Sequence, residues 1–206
     1  MTAAAPPARS RVVIATRNPG KVDEFTHLLR GTPCDIVMLD AGSPLAEPEE
    51  SGETFAANAR LKALYYAAHT TDLVVADDSG LEIEALQGWP GVRTARVPGV
   101  TYPEKWAEVY RRLDSRGDRA SAARFVCAIA VAEAGAILFE AVGHVDGRVS
   151  PVPRGSGGFG YDPIFFYPPY GRTLAEISPD DKSRVSHRAR AVDELRTYLA
   201  ERFGGR

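Results

Sequence analysis

Two cysteines, two methionines and two tryptophans are all that 206 residues contain of those types. Cys34 and Cys127 form no C-x-x-C pair, which excludes zinc ribbons and thioredoxin-like redox sites. Neither sign of charge dominates: 25 Lys and Arg face 27 Asp and Glu, a net charge of −2. That excludes a histone-like basic protein and an acidic solvating tail, and it weighs against nucleic acid as a partner. No long apolar run occurs. Phe125–Ala132 falls far short of the roughly 18 residues of a spanning helix, so no membrane is expected. Met1–Arg9 is Ala/Pro-rich without an apolar stretch, unlike a secretory signal. Residues 1–10 are therefore expected to be a disordered lead-in and 11–206 a single domain, with the cytoplasm as compartment. At 44% hydrophobic and 25% charged residues the composition is that of an ordinary globular chain. A chain of this size buries about 70% of its unfolded surface and needs no disulfide or structural metal.

Several catalytic signatures are missing too. The sequence has no G-x-x-x-x-G-K-[ST] phosphate loop, no G-x-S-x-G elbow, and no metal-type pairing among His27, His69, His144 and His187. Gly155–Gly160 formally matches G-x-G-x-x-G, but Tyr161-Asp162-Pro163 and aromatics follow where a dinucleotide site needs a helix.

What is present reads as alternating strands and helices. The β-branched run Arg11–Ala15 stops at Thr16–Lys21, after which Val22, Phe25, Leu28 and Leu29 mark a helix ending at Gly31. Asp35–Leu39 is a second strand, followed by a long acidic loop, Ala41–Gly52. Glu53 and Thr54 open a helix whose apolar side is expected to hold Phe55, Leu61, Leu64, Tyr65 and Ala68. Leu73–Ala76 predicts a short buried strand emptying into Asp77-Asp78-Ser79-Gly80. Tyr102–Leu113 predicts a helix, Phe125–Glu133 and Ala136–Asp146 a long hairpin about Gly135, and Ser186–Phe203 a last helix. Pro151–Pro169 is too punctuated for a helix. The fold class expected is mixed α/β.

Five segments are loaded for chemistry. Thr16–Lys21 joins a strand to a helix N-terminus, where free N–H groups and the helix dipole attract anions, and Thr16, Asn18 and Lys21 add donors. Asp77-Asp78 places two carboxylates side by side, costly unless a cation binds them; strand alternation predicts that only one faces the site. Glu49 and Glu50 could complete an oxygen-ligated Mg²⁺ site with them. Lys182, Ser183, Arg184, Ser186, His187 and Arg188 form a basic cluster just before a helix, suited to an anionic or carbonyl-bearing ligand. Phe159, in its glycine-rich loop, is available to stack on a base.

Together these segments resemble the Ham1/RdgB family of inosine/xanthosine triphosphate pyrophosphatases. The resemblance runs from Val12 to about Tyr198. It rests on Ala15–Lys21, Glu50–Ala59, Ala76–Leu81, Pro90–Arg96, Gly157–Pro163 and Ser186-His187-Arg188, six segments in order. It implies a long twisted mixed sheet flanked by helices, two lobes about a central active-site cleft, and a homodimeric, Mg²⁺-dependent enzyme. That enzyme would cleave ITP, dITP or XTP to the monophosphate and pyrophosphate. By position, Thr16, Arg17, Asn18, Pro19, Gly20 and Lys21 would hold phosphate, and Asp78 would be the proton acceptor. Asp78 with Glu49 or Glu50 would hold the metal. Lys62, Ser79, Phe159, Gly160, Tyr161, Asp162, Lys182, His187 and Arg188 would bind substrate. The family's first loop usually reads Thr-Gly-Asn, so Arg17 is a departure that bears on substrate affinity, and it would be strained if that position needs φ > 0. Arg188 or His187 donating to the O6 of inosine or xanthosine would disfavour the amino group of adenine. Two rivals remain: a Maf-like nucleotide pyrophosphatase preferring pyrimidine or modified bases, and a non-catalytic nucleotide-binding module.

Overall fold

The computed structural model describes residues 10–40 and 44–205; the expected lead-in, apart from Ser10, and the start of the acidic loop lie outside them. Seven strands form one sheet in the order β2-β1-β3-β4-β5-β6-β7. Strands β1 (Arg11–Ile14), β2 (Asp35–Met38) and β3 (Leu73–Ile83) are mutually parallel, joined through helices α1 (Pro19–Leu28) and α2 (Phe55–Ala67). Helix α3 (Tyr102–Asp114) then leads to the antiparallel hairpin of β4 (Ala122–Glu133) and β5 (Ala136–Val149). Short strands β6 (Phe165–Tyr167) and β7 (Arg172–Thr173) close that edge. Helices α4 (Pro179–Val185) and α5 (His187–Phe203) end the chain.

The period-2 pattern of the central strands feeds two cores. Val75, Cys127, Ile129 and Val131 meet Phe25 of α1 and Val192, Leu195 and Leu199 of α5 on one face. Val74, Ala76, Ala128, Ala130 and Ala132 meet Ala59, Ala63 and Ala67 of α2 on the other. A third cluster, around Leu81, Phe125, Val145 and Phe165, packs under α3 and makes the second lobe.

Two expectations need correction. The buried side of α2 is Phe55, Asn58, Ala59, Ala63, Tyr66 and Ala67, whereas Leu61, Leu64 and Tyr65 are half-buried and Ala68 is exposed. Small side chains let this helix approach the alanines of β4 closely, and size outweighs hydrophobicity in choosing the face. Asp77–Gly80 is not a turn at a strand end: β3 continues through it, paired residue for residue with β4. Helix α4, which contains Lys182, was not foreseen; Ser178 caps it and Pro179 starts it.

Candidate functional site

Strand β1 stops at Ile14 while β3 runs on to Ile83. Beyond Ala76, β3 therefore has β4 on one side and no strand of β1 on the other. A cavity of about 400 Å³ opens along that edge. Because it wraps round the edge, both Asp77 and Asp78 line it, contrary to the expectation that alternation admits only one. Alternation instead assigns them different helices. Asp77 turns toward α1 and α5, Asp78 toward α2.

Asp77 is fully enclosed, with Lys21 Nζ at 2.9 Å and Arg188 Nη2 at 3.3 Å. Burial raises its pKa, but Lys21 and Arg188 outweigh that and hold it well below the ordinary carboxylate range. Its Oδ1 has no hydrogen-bond partner among the described residues. Cys127 lies behind it, Sγ at 3.8 Å, and burial pushes that thiol up to about 12, which disqualifies it as a nucleophile at neutral pH. On the other face Asp78 accepts from Asn58 Nδ2 (3.0 Å) and the Ser79 N–H (3.0 Å), with Lys62 Nζ at 3.5 Å. Asn58 and Lys62 are one turn apart on α2 and so share a face. Burial raises the pKa of Asp78, and Glu50 adds to this against the opposing Lys62.

The phosphate-loop segment folds as anticipated. Asn18 caps α1 by accepting the Lys21 N–H (3.2 Å), Pro19 occupies the first turn, and Thr16 Oγ1 accepts from the Asn18 N–H. Thr16, Arg17, Asn18 and Lys21 line the cavity; Pro19 and Gly20 do not. Gly20 has another use, since a Cβ there would overlap the Phe159 ring. Arg17 does not have a positive φ and is unstrained. Its Nη2 donates to the Leu45 carbonyl at 2.5 Å, tying the phosphate loop to the acidic loop.

Glu50 contacts Lys62 Nζ (2.6 Å) and Arg96 Nη2 (3.2 Å); Glu49 is exposed at the rim. Among the described residues no three acidic, His or Cys side chains converge as a metal cage. The donor set nevertheless fits Mg²⁺. Glu50 and Asp78 already flank one cation, the Lys62 ammonium, and Mg²⁺ takes one or two carboxylates plus phosphate and water rather than an all-protein shell.

Phe159, Gly160, Tyr161, Asp162, Lys182, His187 and Arg188 line the cavity as well, the Phe159 ring lying against Gly20 of α1. Lys182 Nζ lies 4.9 Å from the Phe159 ring centre and 2.5 Å from Asp162, which also accepts from the Phe159 N–H. Trp106 of α3 holds this loop by donating to the Gly160 carbonyl (3.0 Å). His187, first residue of α5 behind its Ser186 cap, stacks on Phe125 at 4.8 Å. Burial and then Arg188 lower its pKa well below the ordinary imidazole value, so the ring is neutral, with Nδ1 unpartnered among the described residues. Arg188 is buried with its terminal nitrogens committed to Glu24, Asp77 and Ser79 (Oγ at 2.8 Å). Only its Nε lacks a partner among the described residues.

Residues the sequence reading passed over include Asn58, Arg96, Trp106 and Glu24. Glu24 sits three positions after Lys21 on the same helix face, a spacing that could have singled it out. Lys182 Nζ is 2.6 Å from it, and Arg188 touches it as well. Burial raises its pKa, but Arg188 and Lys182 prevail and lower it to about 2.

Comparison with known proteins identifies the family and the fold. The model described as "Ham1 family" matches residues 12–198. A dITP/XTP pyrophosphatase of Gloeobacter violaceus is 46% identical over 184 residues, covering 89% of this chain and 91% of that protein. One of Geobacillus kaustophilus is 41% identical over 197 residues, covering 95% and 97%. Among solved structures, a HAM1 protein from Coxiella burnetii superposes with a TM-score of 0.83 at 38% identity, covering 93% of this chain and 99% of that one. The Ham1 protein of Staphylococcus aureus does so with 0.82 at 32% identity, covering 94% and 100%.

Proposed function

The chain belongs to the Ham1 family, and from that premise we propose that it hydrolyses non-canonical purine nucleoside triphosphates to the monophosphate and pyrophosphate. ITP, dITP and XTP are the substrates, and removal of deaminated purines from the nucleotide pool is the consequence. One observation carries this reading. A single cavity is lined by Thr16, Asn18, Lys21 and Lys62 around two carboxylates and also by aromatic rings and the donors Lys182 and His187.

The triphosphate lies against the N-terminus of α1, where Lys21 and Lys62 supply opposing charge. Asp78, oriented by Asn58, positions the attacking water and takes its proton; general-base help of this kind is worth roughly 10²–10⁴-fold. Glu50 and Asp78, with Glu49 at the rim, are the residues that would hold Mg²⁺, which when bound neutralises phosphate charge and acidifies water. Lys182 and the neutral His187 offer donors to a purine 6-oxo group, and Phe159 offers a face for stacking. The adenine amino group presents a donor to those donors, so ATP is disfavoured. A homodimer of single-domain subunits (residues 11–206), working in the cytoplasm without nucleic acid or membrane, completes the proposal. Among the described residues no helix is long and apolar enough to cross a membrane.

The test is a product assay with Mg²⁺ on ITP, XTP, dITP, ATP, GTP, dTTP and UTP, with monophosphate, pyrophosphate and orthophosphate measured separately. Monophosphate plus pyrophosphate from ITP and XTP in preference to the rest is expected. Preference for dTTP or UTP would transfer the chain to the Maf-like reading, and binding without turnover would leave only a nucleotide-binding module.

A further inference from the structure

Three cations and three carboxylates alternate through the wall of the cavity. In order, Asp162 meets Lys182 (2.5 Å), Lys182 meets Glu24 (2.6 Å) and Glu24 meets Arg188. Arg188 then meets Asp77 (3.3 Å), which meets Lys21 (2.9 Å). Five parts of the chain supply these six groups: α1, β3, the loop before β6, α4 and α5. Glu24 is the only member absent from the cavity lining, yet it is the link between the two halves. Its two oxygens are divided, Oε1 to Lys182 and Oε2 to Arg188.

We infer that Glu24 is a positioning residue that couples the base-binding end of the cavity to its phosphate-binding end. This rests on the placement of base and phosphates proposed above. A carboxylate with one oxygen on each cation cannot follow one of them without loading the other. A base oxygen that takes a hydrogen bond from Lys182 fixes that side chain, and with it Glu24. Through Glu24 it fixes Arg188, which in turn sets Asp77, Ser79 and Lys21 beside the phosphates. The second ligand then meets groups already ordered, which makes binding at the two ends cooperative and, by linkage, reciprocal. Selection of the base thereby reaches the reacting phosphates through protein, besides through the substrate's own covalent frame.

The test separates the ends with two probes, inosine for the base end and inorganic tripolyphosphate for the phosphate end. Tripolyphosphate affinity is measured by calorimetry on the purified full chain, with metal chelated, in the absence and presence of saturating inosine. In the wild-type protein inosine tightens tripolyphosphate binding by about fivefold or more. Glu24→Gln, the same shape without the charge, abolishes that tightening in protein that melts cooperatively. No tightening in the wild type, or equal tightening in E24Q, overturns the proposal. Should E24Q not fold, Glu24→Asp decides: its shorter carboxylate cannot span both cations, and tightening equal to wild type is fatal to the inference. Neither probe is turned over in this test. A chain that couples them yet releases no pyrophosphate from ITP would refute the functional reading and leave the role of Glu24 standing.

Discussion

Asp77 and Asp78 are neighbours in one strand, lined up against Ile129 and Ala128 of the next, and they live in opposite electrostatic worlds. Strand alternation sends Asp77 to the α1/α5 face, where Lys21 and Arg188 hold it ionised. It sends Asp78 to the α2 face, where burial and Glu50 outweigh Lys62 and the carboxyl is reluctant to ionise. The difference teaches that a run of two acids need not be a redundant pair. One serves as the fixed anion that organises the cations, the other as a group able to take up a proton. In each case the helix behind the strand decides.

Substituting each in turn is the sharpest way to break the comparison. Asp78→Asn is expected to lower turnover of ITP by roughly 10²–10⁴-fold, the range of a lost general base. Its thermal midpoint should move little, because the wild-type carboxyl gains little from being ionised there. Asp77→Asn should do the converse to stability. The half-buried Lys21 loses its carboxylate partner and the buried Arg188 one of its two, and breaking a buried pair costs about 3–5 kcal/mol. For a domain of this size that lowers the midpoint by roughly 6–20 °C, at about 2–4 °C per kcal/mol. Calorimetry and initial rates on both variants check this; equal midpoints would mean that the two environments do not differ as described.

The pH dependence separates the same two residues by sign. The folded pKa of Asp77 lies below its unfolded value, so its stabilisation is complete above about pH 4 and is lost as pH falls toward the folded value. The folded pKa of Asp78 lies above its unfolded value, so its protonated form stabilises at low pH and that contribution is lost as pH rises through the folded pKa. With metal chelated, melting temperatures across pH 3–7 should show D77N flattening the acid fall of the curve. D78N should gain relative to wild type as pH rises. His187, buried and neutral, adds a slope of its own, destabilising the fold as pH drops below about 6.5. His187→Phe should remove that slope.

How much of this contrast could be read in advance follows from what periodicity sees. Each of the six motif segments contributes to the cavity lining, but Tyr66, Tyr102 and Phe125 enter it from outside them with no signal of their own, and of the candidate site residues Pro19 and Gly20 do not line it. The major strands and helices also lie near their expected spans. The continuation of β3 through Asp77–Gly80 was illegible because acidic residues and glycine are depleted in strands; only the lysines and the arginine of three distant helices make it tolerable there. The buried face of α2 was misread because alanines packing on alanines carry little hydrophobic signal beside Leu61, Leu64 and Tyr65. Glu24 is hard to read because its partners, Lys182 and Arg188, lie about 160 residues further on, and its helical spacing from Lys21 is a weak local hint that does not point to them.

The smallest expected effect lies on the Asp78 side, in the acidic loop that brings Glu50 to Lys62. Besides the contacts of Glu50 itself, this loop is held by the Gly52 N–H to Asn58 and by Arg17 to the Leu45 carbonyl. Arg17 is half-buried, and its hydrogen bond spans 28 residues of sequence. One such bond is worth about 0.5–1.5 kcal/mol, or more where the donor is charged. Arg17→Gly should therefore loosen the loop without disturbing the Asp77 side. The expected outcome is a two- to tenfold rise in KM for ITP and a similar rise in the half-saturating Mg²⁺ concentration, with turnover at saturation within about threefold of wild type. A fall in turnover with unchanged Mg²⁺ requirement would place Arg17 on the reacting phosphates instead.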